Sequence, residues 1–235
     1  MILGDPLQTT EQIVGIEDHK SAGTVCELIE NLLIVRSAIR KWRNNLPGLI
    51  AGLAKGRGIV VEHRLISAGG ASLRQHLNAG AAEKAAGFDT VVLQEQSTLP
   101  AKNPARMHDS VRDFAAATEG TRLALYMTWA RRNGDQQPIT NAYAGIAAEL
   151  KTTLIPVGMV WERFLRDRTE PVLHDQDGSH PALAGSYLAA CVFLISLLDE
   201  DPVGLDAPVK GLPADTAALL REEAWAICEA LASGN

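Results

Sequence analysis

Residues 90–97 read TVVLQEQS, a short apolar run that changes abruptly to polar side chains. Four more apolar runs of similar length lie along the chain, at residues 31–35 (NLLIV), 59–66, 122–128 (RLALYMT) and 153–157. Such runs are typical of strands that are buried on both faces of a sheet. Segments of helical character separate them, with predicted helices from about residue 44, at 107–117, at 142–150, after Pro181 and at about 216–231.

Strands that alternate with helices predict βαβ units, and therefore a parallel sheet with helices on both faces. The chain contains no internal repeat and no convincing linker, since only one helix follows the turn-rich residues 199–213. We therefore predict an α/β protein with one domain over residues 1–235. Residues 1–30 show no sustained period and are interpreted as an N-terminal extension.

The composition excludes several classes of protein. Hydrophobic residues make up 46% and charged residues 21%, as in ordinary globular proteins, and the net charge of −6 argues against a nucleic-acid partner. The uncharged residues 181–198 begin with a proline and are barely long enough to cross a bilayer, so we interpret them as a buried helix and expect no membrane partner. No signal-peptide pattern is visible, which favours a cytoplasmic location. The three cysteines, Cys26, Cys191 and Cys228, have no metal-ligand spacing and are expected to be reduced thiols.

Ligands of parallel sheets bind beyond the carboxyl ends of the strands. Gly69 and Gly70 follow one predicted strand, where backbone N–H groups can approach a ligand, although a simple turn would look the same. Gln96 follows another, and its amide could donate to a developing oxyanion. Taken alone, each of these signals is weak.

Residues 177–181 read DGSHP and form the strongest local signal. Pro181 suits the first turn of a helix and keeps the preceding His180 extended, while Gly178 permits a tight turn. Asp177 can then reach Nδ1 of His180 and leave Nε2 free as a base. A helix-capping role in solvent is the alternative. Together with His174 and Asp175 these residues could also bind a divalent metal, but the segment lacks the distal glutamate of a calcium loop.

Four blocks resemble the SGNH/GDSL hydrolase superfamily, and especially a bacterial branch of it: ISAGGASL (66–73), FDTVVLQEQS (88–97), LYMTWAR (125–131) and DQDGSHPALAGSYLAACVF (175–193). The resemblance extends from about residue 31 to about residue 198. It implies a three-layer α/β/α, flavodoxin-like fold with a five-stranded parallel sheet in the order 2-1-3-4-5. It also implies hydrolysis of a small-molecule ester by a serine nucleophile, without a metal or another cofactor. His180 would be the base, Asp177 its partner, and Gly70 and Gln96 oxyanion donors, with Gln96 in place of the family's usual asparagine.

The nucleophile block departs from the family, which places its serine in a G-D-S or G-N-S triplet after the first strand. Here RSAIRKWR (36–43) follows that strand, and Ser37 stands closest to the expected position without a preceding glycine. A second block, ILGDPL (2–7), has Pro6 in place of the serine. Ser37 is the predicted nucleophile of an esterase acting on a small acyl or acetylated carbohydrate substrate. The altered block leaves open a catalytically silent binding module or a disturbed reading frame, and a metal-dependent phosphoesterase is a more distant alternative.

Overall fold

The computed structural model describes residues 10–13, 28–37 and 44–234, with the backbone alone for residues 10–13, 28, 29 and 37. Within these ranges the chain forms one six-stranded sheet. Its strands are β1 (Thr10–Ile13), β2 (Leu28–Ser37), β3 (Ile59–Ala68), β4 (Thr90–Gln94), β5 (Arg122–Tyr126) and β6 (Thr153–Ile155).

The strand order across the sheet is β1-β3-β2-β4-β5-β6. The strands β2 to β6 are all parallel, and their order 3-2-4-5-6 is the predicted 2-1-3-4-5 once the five are counted from β2. The predicted fold class is therefore confirmed. The prediction missed β1, which pairs antiparallel with β3 at the sheet edge, Thr10 opposite Ser67. A strand of four residues is too short to set a visible period in an otherwise irregular segment.

Eight α-helices connect or cover the strands of the described chain. They are α1 (Leu46–Lys55), α2 (Leu73–Asn78), α3 (Leu99–Lys102), α4 (Pro104–Ala117), α5 (Gln137–Leu150), α6 (Val157–Asp167), α7 (Leu183–Leu198) and α8 (Ala214–Ala232), with a 3₁₀ turn at Ala82–Ala85.

The sheet separates two hydrophobic clusters. Successive side chains of β2 alternate between them, since Leu32 and Ile34 belong to one cluster while Leu33 and Val35 belong to the other. The first cluster packs against α1, α6, α7 and α8, and the second against α2, α4 and α5. A central strand must be apolar on both faces when both are covered, which explains the uninterrupted apolar runs of the sequence.

Helix α7 lies under α8 and is buried over most of its length, as its uniformly apolar sequence predicts. Arg221 of α8 is buried and donates to the hydroxyl of Tyr187 in α7 at 2.8 Å. Among the described residues, no helix has the length and apolar character needed to cross a membrane. Cys191 and Cys228 are buried free thiols, and Cys26 lies outside the described residues.

Candidate active site

A cavity of about 530 Å³ opens at the carboxyl edge of the parallel strands and is called the edge cavity below. Strands β2, β4 and β5 end at it, contributing Arg36, Gln94 and Tyr126. The edge cavity thus occupies the position where parallel sheets bind ligands. The other polar side chains lining it come from four loops and from α3 and α7: Asn44, Gln96, Ser97, Thr98, Lys102, Thr128, Trp129, Arg131, Asp135, Asp175, Asp177, Ser179, His180 and Ser186.

Asp177 and His180 form a hydrogen-bonded pair on the wall of this cavity. The His180 Nδ1 lies 2.5 Å from Oδ2 of Asp177, while Oδ1 accepts the backbone N–H groups of Ser179 and His180, each at 2.9 Å. Gly178 makes the tight turn between them with a φ of 65°, in the left-handed region that favours glycine. With Nδ1 donating to a carboxylate, the ring keeps its proton there and leaves Nε2 as an acceptor. This is the arrangement that a general base requires.

The electrostatics of the pair follow from these bonds. The N–H of the His180 ring, followed by the two backbone N–H groups, holds the pKa of the Asp177 carboxyl well below its usual range. Asp177 therefore stays ionised at any pH at which the protein would work. About half of each side chain is exposed, 50% for Asp177 and 46% for His180, so the pair is accessible from solvent.

The loop that carries this pair is attached to the segment following β5. The indole N–H of Trp129 donates to the carbonyl of Ser179 at 3.0 Å, and the N–H of Arg132 donates to the carbonyl of Gly178 at 2.7 Å. Trp129 itself stacks on Trp161 of α6, with ring centroids 4.0 Å apart and planes 7° from parallel. Trp129 thus both lines the cavity and packs against α6, and it holds the histidine loop in place.

Gln96 follows β4 by two residues, and its side-chain orientation is fixed by its oxygen. The Oε1 atom accepts from the N–H of Thr98 at 3.0 Å, the hydroxyl of Thr98 at 2.9 Å and the N–H of Leu99 at 3.1 Å. Because backbone N–H groups can only donate, the atom that faces them must be the amide oxygen. The amide nitrogen is the remaining polar atom of a side chain that lines the edge cavity. It is the group of Gln96 that is left to donate to a ligand oxygen.

The remaining predicted site residues are placed less completely. Gly70 lies in the exposed turn after β3 with a φ of 71°, and it is not among the residues that line the edge cavity. Ser37 is the last residue of β2, opposite Ala68 of β3, at the same carboxyl edge, and only its backbone is described. Residues 2–7, the second nucleophile block, lie outside the described residues. The roles of Ser37 and Gly70 stay predictions.

The structure gives no support to the metal-binding alternative. His174 is buried, its Nε2 lies 3.1 Å from the carbonyl oxygen of Ala130, and its ring meets that of Trp161 edge-on with centroids 4.9 Å apart. Its hydrogen bond is therefore with the loop after β5 and its ring contact with α6. In the part of the chain that the structure describes, no three histidine, cysteine, aspartate or glutamate side chains converge as a metal site would need.

Sequence reasoning missed two residues that shape the cavity. Asn44, predicted only as a helix start, donates through Nδ2 to the carbonyl of Pro181 at 3.1 Å and to the hydroxyl of Ser186 at 2.9 Å. It thereby joins the start of α1 to the start of α7, directly beside His180. Arg36, the residue before Ser37, lines the cavity at the position where the family's triplet has an aspartate or asparagine. The sequence signal for Arg36 as a cavity residue is its position as a basic residue at the end of an apolar strand.

Comparison of the sequence with protein-family models and with curated proteins gave no match. Among solved structures, a DUF4886 family protein of Bacteroides uniformis aligns with a TM-score of 0.70 at 16% identity, over 86% of this chain and 95% of its own. An SGNH hydrolase assigned in Slackia heliotrinireducens aligns with a TM-score of 0.59 at 28% identity, over 72% and 98%. The acetylxylan esterase Axe2 of Geobacillus stearothermophilus aligns with a TM-score of 0.58 at 14% identity, over 71% and 93%.

These neighbours have the same three-layer arrangement as this chain. The resemblance to the SGNH/GDSL-like hydrolase superfamily is therefore confirmed, and the chain has the SGNH hydrolase fold. The hydrolases and esterases among the neighbours support a hydrolase in general.

Proposed function

We propose that this protein is a serine esterase that hydrolyses small acyl esters, with acetylated carbohydrates as its substrate class. The observation that carries the proposal is the Asp177–His180 pair, which leaves Nε2 of the imidazole open at the same cavity that Gln96 lines. A base with an orienting carboxylate and an amide donor on one cavity is the constellation that acyl transfer to a serine requires.

In the proposed reaction the hydroxyl of Ser37 attacks the ester carbonyl, and its proton passes to Nε2 of His180. Asp177 holds the imidazole in the required tautomer and stabilises the imidazolium. The same ring nitrogen then protonates the departing alcohol, which leaves an acyl-serine ester. Water attacks this ester, again giving its proton to His180, and releases the acid and the free serine.

The tetrahedral intermediate of each step carries a negative charge on the former carbonyl oxygen. We assign its stabilisation to the side-chain amide of Gln96 together with the backbone N–H groups of Gly70 and Ser37. The amide of Gln96 needs no rearrangement to act, because its oxygen already holds it in place.

The choice of substrate class rests on the cavity and on one neighbour. A volume of about 530 Å³ is within the usual range for small-molecule sites. The lining combines two aromatic side chains, Tyr126 and Trp129, with hydrogen-bonding groups such as Asn44 and Thr128. This combination suits a ligand that has both apolar faces and hydroxyl groups. The neighbour Axe2 acts on acetylated xylan, as its name states.

One observation favours a second function, that of a catalytically silent binding module. Arg36 lines the cavity at the position directly before Ser37, where the family's triplet has an aspartate or asparagine. A bulky cation there could occupy the space of a reacting ester and bind an anionic ligand instead.

Labelling with a fluorophosphonate probe separates the two functions, since the probe reacts only with an activated serine. We expect labelling of the native chain on the peptide that contains Ser37, and none in Ser37→Ala or His180→Ala. Labelling on Ser97, Ser179 or Ser186, which line the cavity, would keep the esterase and reject Ser37 as its nucleophile. A native chain that is neither labelled nor able to hydrolyse 4-nitrophenyl acetate would leave the binding module as the better proposal.

A further inference from the structure

Glu95 is the first residue after β4, and its side chain is completely buried. An ionisable carboxyl group is rarely placed in a protein interior, because its charged form loses the solvation of water. Burial raises the pKa of Glu95, against the opposing effect of two backbone N–H groups and of Arg106. A position so unfavourable for a carboxylate calls for a specific role.

The contacts of Glu95 are concentrated on one of its two oxygens. Oε1 accepts the N–H of Gln96 at 2.6 Å and the N–H of Leu73 at 3.0 Å. Among the described residues, Oε2 has no hydrogen-bond partner. The backbone N–H of Glu95 donates to the hydroxyl of Tyr143 at 3.0 Å, which fixes the residue from the opposite side.

The two N–H groups belong to the two turns that carry the assigned oxyanion donors. Gln96 lies in the turn after β4 and carries the side-chain amide itself. Leu73 begins α2 and follows Gly70, in the turn after β3, by three residues. These turns leave two strands that are not neighbours in the sheet, because β2 lies between β3 and β4. One buried oxygen atom therefore bridges two loops that the sheet does not join directly.

We propose that Glu95 is a positioning residue that fixes the distance between the Gly70 turn and the Gln96 turn, and so sets the geometry of the oxyanion site. This inference rests on the proposed esterase function. An oxyanion donor is effective only when it lies within hydrogen-bond reach of the charge that develops in the transition state. A loop displaced by a fraction of an ångström would bind substrate as before and stabilise the transition state less.

The bridge requires an acceptor oxygen and not a negative charge. The carbonyl oxygen of a glutamine, placed where Oε1 lies, can accept the same two N–H groups. Glu95→Gln should therefore retain the bridge, while Glu95→Ala removes it and leaves two N–H groups without their acceptor. The pair of variants separates positioning from charge.

We expect Glu95→Gln to hydrolyse 4-nitrophenyl acetate with a kcat within about threefold of the native chain. Glu95→Ala should lose roughly 10²-fold in kcat with KM nearly unchanged, the loss expected when one oxyanion donor is misplaced. Tyr143→Phe is the matched control. It removes a buried hydrogen bond from the same residue without touching the bridge, so it should lower the Tm while kcat stays within about twofold.

Equal kcat values for Glu95→Ala and the native chain would overturn the positioning role. An equal loss in Glu95→Gln and Glu95→Ala would also overturn it, since the charge would then be what matters. A loss in Tyr143→Phe as large as in Glu95→Ala would attribute the effect to general loosening of the core.

Amide hydrogen exchange tests the bridge apart from the proposed function. The N–H groups of Gln96 and Leu73 should exchange faster in Glu95→Ala than in the native chain, and at the native rate in Glu95→Gln. If the native chain is catalytically silent and this pattern appears, the esterase proposal fails while the bridge between the two turns stands. Unchanged exchange of both amides in Glu95→Ala would overturn the bridge itself.

Discussion

Replacing Asp177 by asparagine tests the catalytic pair with almost no change of shape. Asparagine keeps an oxygen that can accept the N–H groups of Ser179 and His180, so two of the three hydrogen bonds survive. The third hydrogen bond is lost, because the amide nitrogen now faces Nδ1 of His180 and both atoms are donors. The imidazole relieves this conflict by moving its proton to Nε2, the atom that must act as the base.

Asp177→Asn should lower activity far more than stability. An imidazole held in the wrong tautomer is expected to cost roughly 10³- to 10⁴-fold in kcat. The stability lost should not exceed about 1 kcal/mol, since the pair is half exposed and such contacts contribute little. For a chain of 235 residues this corresponds to a fall in Tm of roughly 2–4 °C at most.

The assay for Asp177→Asn combines hydrolysis of 4-nitrophenyl acetate, thermal unfolding and the ¹⁵N shifts of the imidazole, which report its tautomer. Asp113→Asn is the control, because it also neutralises an exposed aspartate in an ion pair, with Arg74, and lies away from the edge cavity. An Asp177→Asn variant that keeps its activity within tenfold and loses several degrees of Tm would refute the catalytic role. It would assign Asp177 a role in the stability of its own loop instead.

Two further predictions concern Gln96 and acid stability. Gln96→Glu keeps the oxygen that caps α3 but replaces the donor by an acceptor, so we expect a loss of at least about 10²-fold in kcat with an unchanged Tm, measured by hydrolysis and thermal unfolding. Native-like turnover in this variant would remove Gln96 from the oxyanion site. Folding lowers the pKa of Asp177, so its ionised carboxylate stabilises the folded chain. This stabilisation is complete above the unfolded pKa of about 3.9 and is lost as the pH falls towards the folded pKa. Urea unfolding should therefore show the native chain losing its advantage over Asp177→Asn below about pH 4, and a difference that stays constant down to pH 2 would contradict the lowered pKa.

The strands of the parallel sheet could be predicted because a strand that is buried on both faces is a continuous apolar run in the sequence. Every residue of β2 from 32 to 35 packs into one cluster or the other, so the run is apolar without interruption. Helix α6 was missed although Val157, Val160, Trp161 and Phe164 are buried at helical spacing. The prediction extended the preceding strand through Pro156 to Val157, because a short apolar run does not reveal where a strand ends and a helix begins.

Whether a residue of the candidate site could be predicted depends on how far along the chain its partners lie. Asp177 and His180 could be predicted because the pair closes within one turn, three residues apart. Asn44 could not, since its partners Pro181 and Ser186 lie 137 and 142 residues further along the chain. Nothing in the sequence near Asn44 records these partners, which come together only when α1 and α7 pack side by side.

The two halves of the proposed active site depend on different parts of the fold. The loop of Asp177 and His180 is held by Trp129 and Arg132, and its hydrogen bonds to the β5 segment involve no atom of β2. The altered residues at the end of β2 can therefore change the nucleophile while these hydrogen bonds to the loop of the base remain. It follows that a tautomer shift in Asp177→Asn reports the state of the base even in a chain that hydrolyses nothing. Probe labelling reports the nucleophile separately, so an intact base without a reactive serine would assign the loss of activity to the end of β2.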